Sequence, residues 1–215
     1  MKSLVQGVRR FRTEVFAQQR EYFKKLAAGQ HPQALFITCS DSRVVPNIIT
    51  QTAPGELFVL RNAGNIVPPP GLIAGGEAAT IEFAVEQLNV EHIIVCGHTQ
   101  CGAMKGVVDP ELVSGMPMLR DWLKHAESTR RILKDNYQDY AGDALLNIAA
   151  QEHVLMQLEV LQTHPAVASR LVQGKLTLHG WIYKMEAGEV FAYDDADGHF
   201  QPLAEERLAA AAAPR

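Results

Sequence analysis

Three short, almost unbroken apolar runs stand out in the first hundred residues: Ala34-Leu35-Phe36-Ile37-Thr38-Cys39, Glu56-Leu57-Phe58-Val59-Leu60-Arg61 and His92-Ile93-Ile94-Val95-Cys96-Gly97. Runs of this length and apolarity suit strands buried on both faces of a parallel sheet. Pro54-Gly55 places a turn signal just before the second. Between the second and third, Gly75–Leu88 has helical spacing, with Ala79, Phe83 and Leu88 on one side. Strand, helix, strand implies a right-handed crossover and a parallel sheet.

The flanking regions read as helix. Over residues 3–28, Leu4, Val8, Phe11, Val15, Phe23 and Leu26 fall near helical spacing, with Arg9, Arg10, Arg12, Lys24 and Lys25 on the wetter sides. Gly29 ends this helix and Pro32 prevents its continuation. Such a helix packs on its own core or reaches onto a neighbouring subunit, and the pattern leaves both open. Residues 117–139 and 143–163 predict two more helices, the second with a buried stripe of Ala144, Ile148, Val154, Leu158 and Leu161. Leu176–Met185, a turn at Ala187-Gly188 and Val190–Tyr193 predict a closing strand pair. With no repeat and no linker, the expectation over 1–215 is one α/β domain with a mainly parallel central β-sheet flanked by helices. Residues 1–33 form an N-terminal helical arm, 34–205 the core, and 206–215, Ala-rich after Leu208, a frayed tail.

Composition narrows the function classes. A chain of 215 residues with 47% apolar and 20% charged positions has the make-up of a soluble globular protein with one substantial core. Net charge is −4 and the Lys and Arg are scattered, so no basic stripe offers itself to nucleic acid. No apolar run approaches the roughly 18 residues that span a bilayer. The N-terminus lacks the apolar stretch and small-residue cleavage site of a signal peptide, and Glu14 and Glu21 interrupt its Arg cluster. The expectation is a cytoplasmic protein without a membrane partner. Three cysteines there favour metal binding or catalysis over a disulfide.

Two motifs sit just past the ends of predicted strands: Cys39-Ser40-Asp41-Ser42-Arg43 and Gly97-His98-Thr99-Gln100-Cys101-Gly102. Ligands bind outside the carboxyl ends of strands in such sheets. Two loops meeting there can offer Cys39, His98 and Cys101 to one Zn²⁺, leaving the fourth tetrahedral position open as in a catalytic site. Gly97 and Gly102 would permit the tight loop that turns His98 and Cys101 to a common centre. The alternative is that Cys39 and Cys101 are small buried hydrophobes, the reading that suits Cys96 inside the third strand. Asp41 can bind the ion or accept a proton from zinc-bound water, with Arg43 holding it by a bidentate pair. Equally, Ser40 or Asp41 can be a helix N-cap beside an exposed arginine. Other templates fail. Ala103-Met104 replaces the Lys-Ser/Thr of a P-loop, and no G-x-S-x-G elbow is present. His92, His125, His153, His164, His179 and His199 lack metal-type pairing and read as core or surface residues, and Trp181 and Tyr183 as packing.

The segments CSDSR (39–43), PGELFVLRNAGNIVP (54–68), HIIVCGHTQCGAMKG (92–106) and LHGWIY (178–183) resemble the signatures of β-class carbonic anhydrases. The likeness runs from about residue 3 to 205. It lies with the plant-type branch, which includes bacterial enzymes associated with cyanate breakdown. The resemblance implies a Zn²⁺ on Cys39, His98 and Cys101, and hydration of CO₂ to bicarbonate and a proton by attack of zinc-bound hydroxide. It also implies an Asp41–Arg43 dyad, and substrate contacts from Gln30 across a dimer and from the backbone N–H of Gly102. Phe58 and Ala63 would line an apolar CO₂ pocket, and Phe83 stands where many members carry tyrosine. The implied assembly is a homodimer that associates further, to a tetramer or octamer. The regulated branch uses a Trp, an Arg and a Tyr as a non-catalytic bicarbonate site; Arg61 and Tyr183 are present but Phe36 replaces the Trp, so that site is not expected. Two other readings remain at this stage. One is hydrolysis of a CO₂ analogue such as carbonyl sulfide or carbon disulfide. The other is a non-enzymatic zinc or redox module, which would need neither Asp41, Arg43 nor Gln30.

Overall fold

The chain opens with α1 (Lys2–Arg10), which continues through a π-helical stretch at Phe11–Phe16 and, after a break at Gln19, into α2 (Arg20–Ala28). The helix expected over 3–28 is therefore two. Its apolar positions are not packed on the chain's own core: Leu4, Val8, Phe11 and Val15 are exposed. Phe23 instead stacks against Phe11 and Phe16 at centroid distances of 5.5 and 5.4 Å. Tyr22 ties the arm to the body by donating to the Pro54 carbonyl at 2.7 Å. The computed structural model describes residues 1–71 and 75–203. The tail expected over 206–215 lies outside the described residues.

Six strands make one sheet. In chain order they are β1 (Ala34–Cys39), β2 (Leu57–Asn62), β3 (His92–His98), β4 (Thr177–Lys184), β5 (Glu189–Asp194) and β6 (His199–Pro202). Their spatial order is β2-β1-β3-β4-β5-β6; the first four are parallel, and β5 and β6 join antiparallel. Helices α3 (Pro46–Ile49), α4 (Gly76–Glu82), α5 (Gly102–Val108), α6 (Pro117–Trp122), α7 (Glu127–Asn136), α8 (Gly142–Gln162) and α9 (Pro165–Val172) fill the connections. β1 lies inside the sheet and is buried along its whole length, as its apolar run predicts. β2 is the edge strand, so its similar run is only partly covered and Val59 is exposed.

The main core lies between one sheet face and the helices. Leu35, Ile37, Ile93, Val95 and Ile182 meet Ala150, Val154 and Leu161 of α8. Each such aliphatic side chain contributes about 1.5–3 kcal/mol on full burial. The opposite face carries Ala34, Phe36, Ile94 and Cys96 under Leu57, Trp181 and Tyr183, with Phe36 and Trp181 edge to face at 5.9 Å.

Several expectations about the helices are corrected. In 75–88 the core side is Ile81, Ala84 and Val85, while Ala79 and Phe83 face outward. Ile81, Ala84 and Val85, with the partly buried Leu88, keep regular helical spacing through the π-helical stretch at Phe83–Gln87, so the helix has a core face different from the one expected. The helix expected over 117–139 is interrupted by a 3₁₀ turn at Leu123–Ala126 and ends at Asn136. Ala144, in the first turn of α8, is exposed. The elements α3, α5, α9 and β6 had no expectation; all are eight residues or fewer, too short for a clear period.

Candidate metal centre

β1 and β3 are adjacent and parallel, so their carboxyl ends point the same way and their following loops meet. In the first loop, Ser40 N–H donates to the Asn62 carbonyl of β2 at 2.8 Å. Arg61 braces it from the same strand, donating from Nε to the Cys39 carbonyl at 3.0 Å and from Nη2 to the Asp41 carbonyl at 2.6 Å. In the second loop the turn is made by Gln100, at φ 55°. This corrects the role expected for the two glycines. Gly97 lies within β3, where an added Cβ would come within 2.9 Å of Val154 Cγ2 and 3.0 Å of Ile182 Cδ1, and nothing crowds Gly102. Gly97 allows α8 to approach the strand; it does not make the turn.

These loops bring Cys39, His98 and Cys101 together, all buried, with one ligand atom from each lying within 4.8 Å of the others. The two sulfurs are 3.9 Å apart. His98 Nδ1 is 2.8 Å from the Thr99 carbonyl, which makes Nδ1 the donor and leaves Nε2 with its lone pair. That Nε2 is buried without a partner among the described residues. Thr99 is itself held, donating from Oγ1 to Glu186 Oε2 at 2.7 Å and accepting from Met185 N–H at 3.1 Å. Cys39 Sγ accepts from Gly64 N–H at 3.4 Å. The Cys39 thiol is shifted to lower pKa because Cys101 donates to it, and Cys101 correspondingly upward because the pair shares that proton inside the core. Two sulfurs and a free imidazole nitrogen converging in a buried site fit a tetrahedral zinc ion. Apolar filler would need no such orientation. Cys96, by contrast, is fully buried inside β3 and pushed up to about 12 by desolvation.

Asp41 and Arg43 form the bidentate pair. Nε donates to Oδ1 at 2.9 Å, Nη2 to Oδ2 at 2.7 Å, and the Arg43 N–H to Oδ1 at 3.0 Å. Asp41 Oδ2 stands 4.0 Å from His98 Nε2. The guanidinium holds the Asp41 carboxyl well below the usual range, so it is a carboxylate at neutral pH. The alternative of a helix cap fails: α3 begins at Pro46 after Val45, and no side chain caps it.

The other expected residues are more dispersed. Gln30 is exposed in the connector between α2 and β1, and no hydrogen bond joins it to the three ligand candidates. Gly102 opens α5. Phe58 is partly buried on β2, its ring 5.9 Å from that of the half-exposed Phe83. Ala63 follows β2, and its carbonyl accepts from Trp122 Nε1 at 2.8 Å. An open cleft of about 340 Å³ lies beside it, lined by Asn62, Ala63, Glu77, Met118, Leu119 and Trp122. Residues that the sequence did not single out include Gly64, Thr99, Glu186 and His153. Only the Gly64-Asn65 pair carries a local turn signal; Thr99 lies inside the second motif, beside the His98 it orients, and Glu186 and His153 matter through partners distant in sequence. His92 and His179, read as core or surface residues without metal-type pairing, lie 3.2 Å apart through Nδ1 and Nε2 on neighbouring strands.

A family model described as carbonic anhydrase matches residues 34–190. A carbonic anhydrase of Synechococcus elongatus is 54% identical over 191 residues, covering 88% of this chain and 70% of that protein. One from Pseudomonas aeruginosa is 45% identical over 206 residues, covering 95% of this chain and 93% of that protein. Among solved structures, the β-carbonic anhydrase CcaA matches with a TM-score of 0.92 at 50% identity, over 94% of this chain and 99% of that one. A chain from a study of two tetrameric β-carbonic anhydrases of Sordaria macrospora matches with a TM-score of 0.82 at 28% identity, over 94% of this chain and 98% of that one.

Proposed function

The chain belongs to the β class of the carbonic anhydrase family, and on that premise we propose that it hydrates CO₂ reversibly to bicarbonate at a Zn²⁺ held by Cys39, His98 and Cys101. The observation that carries this reading is the buried, unpartnered Nε2 of His98 facing two cysteine sulfurs. When bound, zinc supplies the Lewis acidity that brings the ionisation of water near neutral pH.

The chain's own residues do the rest. The Thr99 carbonyl fixes the tautomer that turns the His98 lone pair inward. Arg43 holds Asp41 by two parallel hydrogen bonds, which keeps the carboxylate ionised, fixes its direction and restrains it from swinging onto the metal. From there Asp41 accepts a hydrogen bond from the reacting water and orients its lone pair toward substrate. Phe58, Ala63 and Phe83 supply an apolar wall for a CO₂ molecule that makes no strong hydrogen bonds. The Gly102 N–H and the partner subunit's Gln30 donate to the oxygens of bound substrate, which requires at least a homodimer. Support for that assembly is the exposed apolar face of the arm, which none of the described residues covers.

Stopped-flow measurement of CO₂ hydration by the zinc-loaded protein tests the reading. Rapid hydration that disappears in His98→Ala is expected. A wild-type rate no greater than that of His98→Ala contradicts it. Carbonyl sulfide run beside CO₂ gives the comparison for analogue hydrolysis.

A further inference from the structure

The turn from Asn62 to Val67 is held by side chains from two separate helices. Asn62 closes it locally, donating to the Ile66 carbonyl at 2.7 Å and accepting from Ile66 N–H at 2.8 Å. Trp122 donates to the Ala63 carbonyl at 2.8 Å, and Gln157 accepts from Val67 N–H at 2.7 Å. Between them, His153 Nε2 lies 2.9 Å from the Gly64 carbonyl. The same Gly64 sends its N–H to Cys39 Sγ at 3.4 Å. Gly64 has φ 86°, and an added Cβ would stand 2.9 Å from Ala103 Cβ, so this residue fits the turn only as glycine.

His153 is buried on α8. Its Nδ1 is 3.1 Å from Thr129 Oγ1 and 3.4 Å from Gln157 Nε2. Nδ1 faces donors and Nε2 faces a carbonyl, so the imidazole is neutral with its proton on Nε2. A buried imidazole costs desolvation that an aliphatic residue would avoid. Here every ring nitrogen is used, and one of them holds the residue that touches a metal-ligand candidate.

We propose that His153 is a positioning residue for the metal centre: by holding the Gly64 carbonyl it aims the Gly64 N–H at the Cys39 sulfur. The inference rests on the zinc reading given above. A hydrogen bond of this kind fixes the rotamer of a thiolate ligand and draws charge from it, and losing such an outer partner costs about 10–100-fold in metal affinity or activity.

The test compares His153→Leu, which fills similar space without a donor, with His153→Gln, whose amide nitrogen reaches about as far as Nε2. Three properties are measured on the full chain: zinc affinity by chelator competition, hydrogen exchange at the Gly64 amide, and the midpoint of the pH–rate profile. His153→Leu should lose about 10–100-fold in zinc affinity, exchange the Gly64 amide faster and move the midpoint to higher pH. His153→Gln should recover most of each. If His153→Leu does not fold, Thr129→Val takes its place: it keeps the imidazole but removes the hydroxyl that fixes its ring, and should shift all three in the same directions by less. Wild-type behaviour in the folded leucine variant, or in Thr129→Val where that is used, overturns the proposal. So does a glutamine variant as impaired as the leucine one. Wild-type protein that binds no zinc overturns the metal reading and this inference with it; zinc-binding wild type beside an unshifted variant overturns this inference alone.

Discussion

At the scale of single residues, the Asp41–Arg43 pair makes the sharpest claim. Arg43→Ala should free the carboxylate to turn onto the metal, lowering activity while zinc content stays near wild type. Because the carboxylate and hydroxide would then compete, raising pH should restore part of the rate. Asp41→Ala leaves the position open but removes the acceptor, so it should be slow at every pH. A pH–rate profile of the two variants checks this, and near-wild-type profiles for both would remove the pair from catalysis. His153 gives a second residue-scale prediction, about stability. Burial pushes its pKa down to about 4 from an ordinary 6.5. As pH falls from 6.5 toward 4, the unfolded chain takes up a proton that the folded protein refuses, so stability drops, by at most about 3 kcal/mol. Denaturant titrations across that window should show a shallower loss in His153→Gln at matched zinc loading. His179, also lowered to about 4, keeps its own share of the slope. An unchanged slope would mean that His153 is not refusing the proton. The ligand candidates and the Asp41–Arg43 pair were legible in the sequence because each motif is local. His153 was not, since its three partners lie 24, 4 and 89 residues away.

At the scale of elements, the buried strands were the easiest to read. β1 was bounded correctly because an inner parallel strand needs apolar residues on both faces. The same rule overreached at β2, where an edge position leaves one similar run half open. Helix 75–88 was found but its core face misjudged: Ile81, Ala84, Val85 and Leu88 keep regular spacing, and of the expected positions only Leu88 lies on that side. The glycine motif around the metal centre was also misassigned: Gln100 makes the turn, and Gly97 makes room for α8. Gly97→Ala should therefore act through packing. Its new methyl meets Val154, Ile182 and the Ala150 carbonyl, so stability should fall by about 1–3 kcal/mol. His98, the residue directly after Gly97 and paired with Tyr183 on β4, should lose metal affinity with it. Thermal melts and zinc competition on the same sample check both effects; full stability with a normal site would show that α8 moves away freely.

At the scale of the whole molecule, the α/β architecture followed from strand and helix alternation, while the fate of the arm did not. Helical spacing shows which residues are apolar but not which surface they meet, and here α1 and the π stretch leave Leu4, Val8, Phe11 and Val15 uncovered. Among the described residues no helix is long and apolar enough to cross a membrane. The arm reading predicts self-association: sedimentation should give at least a dimer for the full chain, and deletion of residues 1–28 should shift it toward monomer with loss of activity. A fully active monomer would contradict the contribution assigned to the partner subunit's Gln30. The central claim, that CO₂ hydration takes place at a zinc ion held by Cys39, His98 and Cys101, meets its most direct test in one titration. Zinc is added stepwise to metal-free protein, and the initial rate of CO₂ hydration is followed at each step. The expected rate climbs in proportion to zinc and saturates at about one ion per chain, the number that three protein ligands at one site can hold. A rate independent of added zinc, or one that stays at the uncatalysed level once the site is filled, would contradict it.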